Sequence, residues 1–190
     1  MREYDLIAEW YAETRDLDVG IPDLDVFVRG LPPHARVLDL GCGHGLPIAQ
    51  RLVQLGLEVD ALDSSPEMVA RFRANLPGVA VQCGRIQDAH VAPASFDAVV
   101  AWGVLFHLSA ADQQCALEDV ASWLVPGGRL LFTSGDLEGE RTGEMDGVVV
   151  HYVSLGVDGY REALGHAGMR LVSHHKDAWE NDAYVAEKPE

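Results

Sequence analysis

A glycine-rich turn is the part of this sequence whose residue types could do chemistry. Residues 36–40 (RVLDL) form an apolar run of strand length, and residues 41–45 (GCGHG) follow directly. Glycine lets the backbone approach a ligand without a Cβ in the way, and the first N–H groups of a helix attract polar and anionic groups. Apolar residues then recur at helical spacing over 48–55. This strand–turn–helix order predicts a ligand site at the turn.

A carboxylate follows at the end of the next predicted strand. Residues 57–62 have strand character and lead into Asp63, 18 residues after Gly45. In a nucleotide-binding βαβ unit, a carboxylate at this place accepts hydrogen bonds from a ribose diol. Asp63 could instead cap the next helix, but Ser64 and Ser65 already supply that cap. We therefore expect Asp63 to bind ribose hydroxyls.

The glycine spacing narrows the kind of nucleotide. A dinucleotide site has the pattern G-x-G-x-x-G, but Leu46 stands in place of its third glycine, and no Gly-Lys-Ser/Thr of a P-loop follows. Residues 37–45 (VLDLGCGHG), together with Asp63, resemble the first motifs of the class I S-adenosylmethionine-dependent methyltransferases. Residues 96–100 (FDAVV) and 124–131 (LVPGGRLL) are similar to later motifs of that family. The resemblance implies S-adenosylmethionine as cofactor and S-adenosylhomocysteine as its product.

Alternating strand and helix patterns would hold this site. The later predicted elements are strands at 79–83, 95–102 and 129–134, a helix over 110–124, a glycine- and acid-rich loop over 135–147 that could form a hairpin into 148–152, a helix at 158–166, and strands at 169–176 and 183–188. Because no helix separates the last two strands, they should pair as a hairpin. The fold class is α/β: a doubly wound, mostly parallel seven-stranded sheet with a terminal antiparallel hairpin.

Two predicted helices, over 3–18 and 23–29, precede the first strand. The resemblance implies that they lie over the cofactor as a lid, although plain packing on the sheet edge would give the same spacing. The length predicts one domain over residues 1–190. Its expected parts are lid helices in 1–30, a cofactor-binding core in 36–134, and a substrate-side loop with the terminal hairpin in 135–190.

The composition is that of a globular protein with a strongly acidic surface. Thirty acidic against 14 basic residues give a formal net charge of −16, which disfavours nucleic acid and anionic membranes as partners. The three cysteines form no CxxC pair, and adjacent His174 and His175 point to opposite faces of a predicted strand, so no metal site is expected. Neither a signal-peptide core nor a run of membrane-helix length occurs. We expect a cytoplasmic monomer or homodimer that acts on a small molecule.

The predicted strand ends and the resemblance assign residues to the cofactor. The glycine turn would pass its backbone along the methionine part, and Arg15 would pair with the cofactor carboxylate beneath Tyr11, although a solvent-exposed arginine is equally consistent with the sequence. The residues expected to bind the cofactor are Tyr11, Arg15, Gly41, Cys42, Gly43, Asp63, Ser64, Met68, Ile86, Gln87, Ala101 and Trp102.

The adenine contact is the least determined part of this assignment. Met68 and Ile86 would enclose adenine, or would serve equally well in the core. Family members often carry Gly-Asp after the third strand, but Gly84 stands at the place of the acid in this sequence. That departure leaves the contact to the adenine amino group among residues 85, 87 and 88.

The acceptor side rests mainly on His107, just past the fourth strand. A neutral imidazole there could act as a general base, donate a hydrogen bond, or be structural. His151 and Tyr152 follow the glycine-rich loop, where similar enzymes build the substrate wall. Trp179, like Trp102, would pack on the acceptor or in the core.

These residues together predict methyl transfer to the O, N or S of a small molecule by in-line displacement, driven mainly by positioning. The fourth strand is followed by WGVL and not by the (N/D)PPY of adenine or glutamine methylases, and little chain remains for a macromolecular substrate. Two alternatives stay open: an NAD-dependent oxidoreductase, and a methyltransferase-like module that binds cofactor or a partner without catalysis.

Overall fold

The computed structural model describes residues 2–190 as a seven-stranded sheet with helices on both faces and a separate two-stranded hairpin. The helices are α1 (Arg2–Thr14), α2 (Ile21–Phe27), α3 (Ile48–Gln54), α4 (Pro66–Asn75), α5 (Ala110–Trp123) and α6 (Gly156–His166). The strands are β1 (Arg36–Leu40), β2 (Glu58–Asp63), β3 (Ala80–Cys83), β4 (Phe96–Ala101), β5 (Leu124–Ser134), β6 (Glu138–Met145), β7 (Val148–Leu155), β8 (Arg170–Lys176) and β9 (Asp182–Glu187).

The main sheet has the strand order β3-β2-β1-β4-β5-β9-β8. Its first five strands are parallel, whereas β9 runs antiparallel to both β5 and β8. From β1 the chain builds the sheet in one direction through β2 and β3, and in the other direction from β4 onward. The order therefore reverses between β1 and β4, which is where doubly wound sheets bind ligands. The predicted seven-stranded α/β fold with a terminal antiparallel hairpin is confirmed.

Both faces of the central strands are buried, which explains their nearly continuous apolar sequences. On one face Leu38 and Leu40 pack in a core with α5 and α6. On the other face Val37 and Val100 pack in a core with α2 and α3. Asp39 is the exception within β1: it is 2% exposed, on an otherwise apolar strand interior. A carboxylate at such a place indicates a site.

Two helices begin where their serine caps predict. The Ser65 hydroxyl accepts the Met68 N–H at 3.1 Å, and Pro66 occupies the first turn of α4. The Ser109 hydroxyl accepts the Asp112 N–H at 3.1 Å at the start of α5. Helix α4 follows β2 and helix α5 follows β4. The two serine caps therefore fix the ends of the β2–α4 and β4–α5 connections, both of which border the site.

The segment predicted as a glycine- and acid-rich loop is mostly strand. Residues 138–145 form β6, which pairs antiparallel with β7 in a hairpin outside the main sheet. The sequence EGERTGEM does not alternate between apolar and polar residues, because six of its eight residues are exposed. The sequence therefore predicted this strand only through the alternative that the loop could form a hairpin. Strand β5 also begins earlier than predicted, at Leu124, because an irregularity in its pairing with β4 accommodates residues 125–128.

The first helix ends sooner than its sequence pattern predicts, at Thr14, and packs against α4 and β7. It therefore extends from the cofactor side of the sheet to the hairpin. In residues 2–190, no helix combines the length and apolar character needed to span a bilayer.

Candidate active site

A cavity of about 250 Å³ opens where β1, β2 and β4 end. It is bordered by the glycine turn, the β2–α4 turn, the segments after β3 and β4, and α1. This is the point where the strand order reverses. Nine of the residues expected to bind cofactor line it: Tyr11, Gly41, Gly43, Asp63, Ser64, Met68, Ile86, Gln87 and Trp102.

The glycine turn has backbone geometry that other residues would not adopt without strain. Gly41 has a φ of 73°, and a Cβ there would lie 2.4 Å from the Val104 side chain. Gly43 has a φ of 54° and no heavy atom within 4 Å of where its Cβ would be. Its backbone therefore faces open space at the cavity wall, where a ligand can approach it closely.

Asp63 joins the glycine turn to the turn before α4. Its Oδ1 accepts the Ser65 N–H and its Oδ2 accepts the Gly43 N–H, each at 2.8 Å. Burial raises the pKa of this carboxyl group, and the two backbone hydrogen bonds oppose that rise. Because a carboxylate has about four acceptor positions, Asp63 retains capacity for the hydroxyls of a ribose.

An apolar slot lies beside Asp63. Met68 and Ile86 are 1% and 7% exposed and border the cavity, so both belong to the cavity wall and to the buried interior. Arg85 and Gln87 also line the cavity, whereas Asp88 lies outside its lining. Of the three residues left open for the adenine amino group, the structure thus brings only Arg85 and Gln87 to the site.

A smaller cavity of about 30 Å³ adjoins the main one and shares Tyr11, Gly41, Gly43 and Trp102 with it. We call it the annex. Its other lining residues are Arg15, Asp39, Cys42, His44, Leu46, Pro47 and Ile48. Two expected cofactor residues that do not line the main cavity, Arg15 and Cys42, are therefore found here.

The annex contains buried polar atoms without a hydrogen-bond partner: Arg15 Nε, Asp39 Oδ2 and His44 Nε2. Burial, reinforced by the nearby Asp63, raises the pKa of Asp39 to about 8. Burial, with the charges of Arg15 and Arg71, lowers the pKa of His44 to about 4. Buried polar groups in proteins are nearly always paired. A ligand that carries both an ammonium and a carboxylate group would pair with these atoms.

His107, which also lines the main cavity, has both ring nitrogens engaged. Its Nδ1 lies 3.3 Å from the carbonyl oxygen of His151, and its Nε2 lies 3.1 Å from the Tyr4 hydroxyl. Since a carbonyl can only accept, Nδ1 carries the proton and Nε2 accepts from Tyr4. Burial lowers the pKa of His107 to about 4 and raises the pKa of Tyr4. The imidazole is therefore neutral at pH 7.

Aromatic rings surround this histidine. The centroids of Phe106, Tyr152 and Tyr4 lie 4.6, 5.3 and 5.4 Å from that of His107. Tyr152 comes from β7 and packs on the outer side of His107, but it lines neither cavity. For His151 the contact is made by the backbone carbonyl, while the residue itself is exposed.

Besides His151 and Tyr152, two further expected site residues line neither cavity. Ala101 is fully buried within β4 and lines neither cavity. Trp179 packs against the core on the α2 and α3 face, and its Nε1–H donates to Asp16 at 3.0 Å. Trp179 therefore packs in the core, which was one of the two alternatives that the sequence left open.

Sequence reasoning did not select several residues that border the main cavity. They are Tyr4, Leu62, Gly103, Val104, Leu108, Ser109 and Asp112. Tyr4 shares a helical face with Tyr11 at a spacing of seven residues, which was a usable signal. Ser109 and Asp112 were interpreted only as a helix cap, which by itself explains both residues, so their position beside the cavity was not predicted.

Comparison with known proteins agrees with this geometry. Residues 37–128 match the family described as "Methyltransferase domain". Residues 37–128 therefore belong to a methyltransferase domain.

The domain is similar to proteins from several bacteria. A ubiquinone biosynthesis O-methyltransferase of Xanthomonas campestris is 38% identical over 114 residues, 57% of this chain and 46% of that protein. The chain thus spans about half the length of the curated relatives it matches. An S-adenosylmethionine-dependent methyltransferase from Mesorhizobium loti has a TM-score of 0.74 at 22% identity, covering 91% of this chain and 100% of its own. An S-adenosylmethionine-bound amino pentose methyltransferase from Micromonospora echinaspora has a TM-score of 0.73 at 20% identity, covering 95% of both chains.

The residues of this methyltransferase domain fit S-adenosylmethionine as its cofactor. The cofactor has an amino-acid end, a ribose and an adenine. The annex offers unpaired Asp39 and Arg15 atoms to the first, Asp63 offers acceptor positions to the second, and the apolar slot suits the third. In residues 2–190 no group of three or more His, Cys, Asp or Glu side chains could hold a metal ion.

Proposed function

We propose that this protein transfers the methyl group of S-adenosylmethionine to an O–H, N–H or S–H group of a small molecule. The observation that carries the proposal is that one cavity is lined both by the glycine turn and Asp63 and by His107 and Tyr4. Donor-binding and acceptor-activating groups thus share one enclosed space, which is what transfer between two bound molecules requires.

Cofactor binding is assigned to groups that the fold already holds in place. Gly41 and Gly43 pass backbone along the methionine part, Asp63 accepts the ribose hydroxyls, and Met68 with Ile86 encloses the adenine. The cofactor, when bound, supplies a methyl group already activated on a sulfonium. The work left to the protein is therefore to orient the acceptor, exclude water and receive a proton.

Tyr4 and His107 are proposed to receive that proton as a pair. Because Nε2 of His107 already accepts from the Tyr4 hydroxyl, an acceptor hydroxyl beside Tyr4 would pass its proton to Tyr4 Oη as the tyrosine proton moves to Nε2. A histidine with a pKa of about 4 is too weak a base to remove the acceptor proton before methyl transfer begins. Proton transfer would therefore accompany methyl transfer and not precede it.

The acceptor is proposed to be small and to bear a hydroxyl on or near an aromatic ring. The rings of Tyr4, Trp102 and His107 line the cavity and offer faces and edges for such a ring. The Xanthomonas relative is named as an O-methyltransferase, which is compatible with this acceptor class. The net charge of −16 disfavours nucleic acid and anionic membranes as partners.

Two further proposals concern the whole chain. Its three cysteines carry free thiols, as is usual for proteins of the reducing cytoplasm, where we place this enzyme as a monomer or homodimer. Residues 1–190 are proposed to act as one domain, with α1 and α2 as cover, 36–134 as the cofactor-binding core, and the hairpin with the terminal strands on the substrate side.

Calorimetric titration with S-adenosylhomocysteine tests the proposal first. The protein should bind it, and Asp63→Ala should lower the affinity at least about tenfold because the ribose hydroxyls lose a charged acceptor. Asp60→Ala, a half-exposed carboxylate on the same strand, is the matched control and should leave the affinity unchanged. A melting temperature that rises with NADH and not with S-adenosylhomocysteine would identify an oxidoreductase instead.

The second stage uses methyl-labelled S-adenosylmethionine and a panel of small phenols, amines and thiols. A phenol should become labelled, and Tyr4→Phe should slow labelling by about 10²-fold while the affinity for S-adenosylhomocysteine stays within a few-fold. Binding without labelling of any panel member would favour the non-catalytic module.

A further inference from the structure

Asp39 has an environment that an ionised carboxylate does not tolerate without a partner. It lies in the interior of β1, opposite Ala61 on β2 and Val100 on β4. It is 2% exposed, and its Oδ2 has no hydrogen-bond partner. Burying an unpaired charge is strongly unfavourable, and such a group takes up a proton instead.

Arg15 lines the same annex but does not hydrogen-bond Oδ2 of this carboxyl group. Asp63 on the neighbouring strand is a second carboxylate and acts on Asp39 in the same direction as burial. His44 stays uncharged at pH 7 because burial and two arginines disfavour its protonation. The titratable and charged groups that face the annex are Tyr11 and Arg15 from α1, Cys42 and His44 from the glycine turn, and Asp63 from β2.

The unpaired atoms are concentrated in this one place. Among the side chains of residues 3–190, four buried polar atoms lack a partner, and three of them belong to residues that line the annex. The fourth belongs to Arg71, whose charge acts on His44. A buried polar group without a partner calls for an explanation, and three in a cavity of about 30 Å³ have one explanation in common, a small ligand group of mixed charge.

We propose that the annex exchanges a proton for the cofactor: Asp39 holds a proton in the ligand-free protein, and the ammonium of the cofactor's amino-acid end displaces it on docking. The proton goes to the bulk buffer, and the ammonium N–H groups replace it as donors to the carboxylate. Arg15 and neutral His44 take the cofactor carboxylate. The inference rests on the proposed function, since it requires the same cofactor in the same site.

This exchange makes the annex a selector for the amino-acid end. A ligand with both charges, such as S-adenosylhomocysteine, gains the pairing with Asp39 only by releasing a proton, so its affinity rises with pH below about 8. A nucleoside thioether without the amino acid, such as 5′-methylthioadenosine, leaves Asp39 protonated. Its affinity should not depend on pH over the same range.

Calorimetry in two buffers of different ionisation enthalpy measures the released proton directly. At pH 7, S-adenosylhomocysteine should release close to one proton from the wild-type protein, and its affinity should rise up to about tenfold from pH 6 to pH 7. 5′-Methylthioadenosine should bind in the same buffers with no proton release. The comparison of the two ligands needs no variant, so it remains decisive even if a substitution disturbs folding.

Asp39→Asn supplies the matched variant, with Asp60→Asn on β2 as its control. Asp39→Asn should bind S-adenosylhomocysteine more weakly and without proton release, and should bind 5′-methylthioadenosine like the wild type. The control should release the proton as the wild type does. Binding of S-adenosylhomocysteine with no proton release by the wild type would overturn this inference alone. Failure of S-adenosylhomocysteine to bind at all would overturn the proposed function as well.

Discussion

At the scale of single residues, surroundings decide chemistry more than residue type does. The sequence identifies His107 as a candidate base because of its place after the fourth strand. The structure adds that both ring nitrogens are engaged and that burial holds the imidazole neutral. In the proposed mechanism its contribution therefore passes through Tyr4, a residue 103 positions away in sequence. No local pattern could indicate that pair, because a helix and a strand end bring it together only on folding.

The lowered pKa of His107 has a consequence for stability. Its value is about 4 in the folded protein against an ordinary value of 6.5, so below pH 6.5 the unfolded state binds more protons. Stability then falls as the pH decreases from about 6.5 toward 4. Over pH 7 to 5 this one group should account for up to about 2 kcal/mol of the loss.

Urea unfolding of His107→Gln at pH 7 and pH 5 measures that share. The variant should lose less stability between the two pH values than the wild type, by up to about 2 kcal/mol. His90→Gln, at an exposed loop position, should lose as much as the wild type. Equal losses in all three proteins would show that His107 titrates normally.

At the scale of elements, α1 is tied to the rest of the molecule by side chains that also serve the site. Asp5 accepts a hydrogen bond of 2.5 Å from the Ser65 hydroxyl, which caps α4 at the same time. Tyr4 bonds His107, and Tyr11 lies edge-on to His44 at 5.8 Å. Helix α1 therefore contacts the start of α4, His107 and His44, and removing one of these contacts should make the helix more mobile.

Asp5→Ala tests that tie without removing the α4 cap. Amide hydrogen exchange in residues 2–14 should become faster, and S-adenosylhomocysteine should dissociate faster, because a hydrogen bond to a charged group contributes about 1.5–3 kcal/mol. Bound ligand should restore part of the protection. Glu9→Ala, on the exposed face of the same helix, is the control, and an equal effect of both substitutions would contradict the tie.

The order and type of most elements followed from sequence because local signals agreed with the tertiary fold. Serine caps at residues 65 and 109, the strand that ends in Asp63, and the apolar central strands all indicated what formed. The hairpin strand β6 did not, since its partners are backbone groups and its side chains are exposed on both faces. The sequence also did not predict the part of the annex formed by His44. This residue lies within the glycine-rich turn but has no assigned role there, and only the fold shows that its Nε2 is buried and unpaired.

At the scale of the whole molecule, the charge of −16 acts against compaction. Like charges on a folded surface repel, and salt screens that repulsion with a Debye length that falls from about 30 Å at 0.01 M to about 8 Å at 0.15 M. The melting temperature should therefore rise by a few degrees, about 2–4 °C for each kcal/mol of relieved repulsion, between these salt concentrations. Circular dichroism melts in NaCl measure it, and a fall over the same range would contradict the prediction.

The position of β9 bears on how the chain completes its sheet. β9 comes last along the chain yet lies inside the sheet, between β5 and β8, with Asp182 opposite Ser134. Strand β8 precedes β9 in the chain and, within residues 2–190, is hydrogen-bonded to β9 alone among the strands. During folding, the five parallel strands can assemble around the glycine turn while β5 still presents an open edge. Only pairing of β9 with β5 closes that edge and gives β8 a neighbour in the sheet. A chain that ended before residue 182 would therefore leave the backbone groups of β5 unpaired, at an edge prone to aggregation.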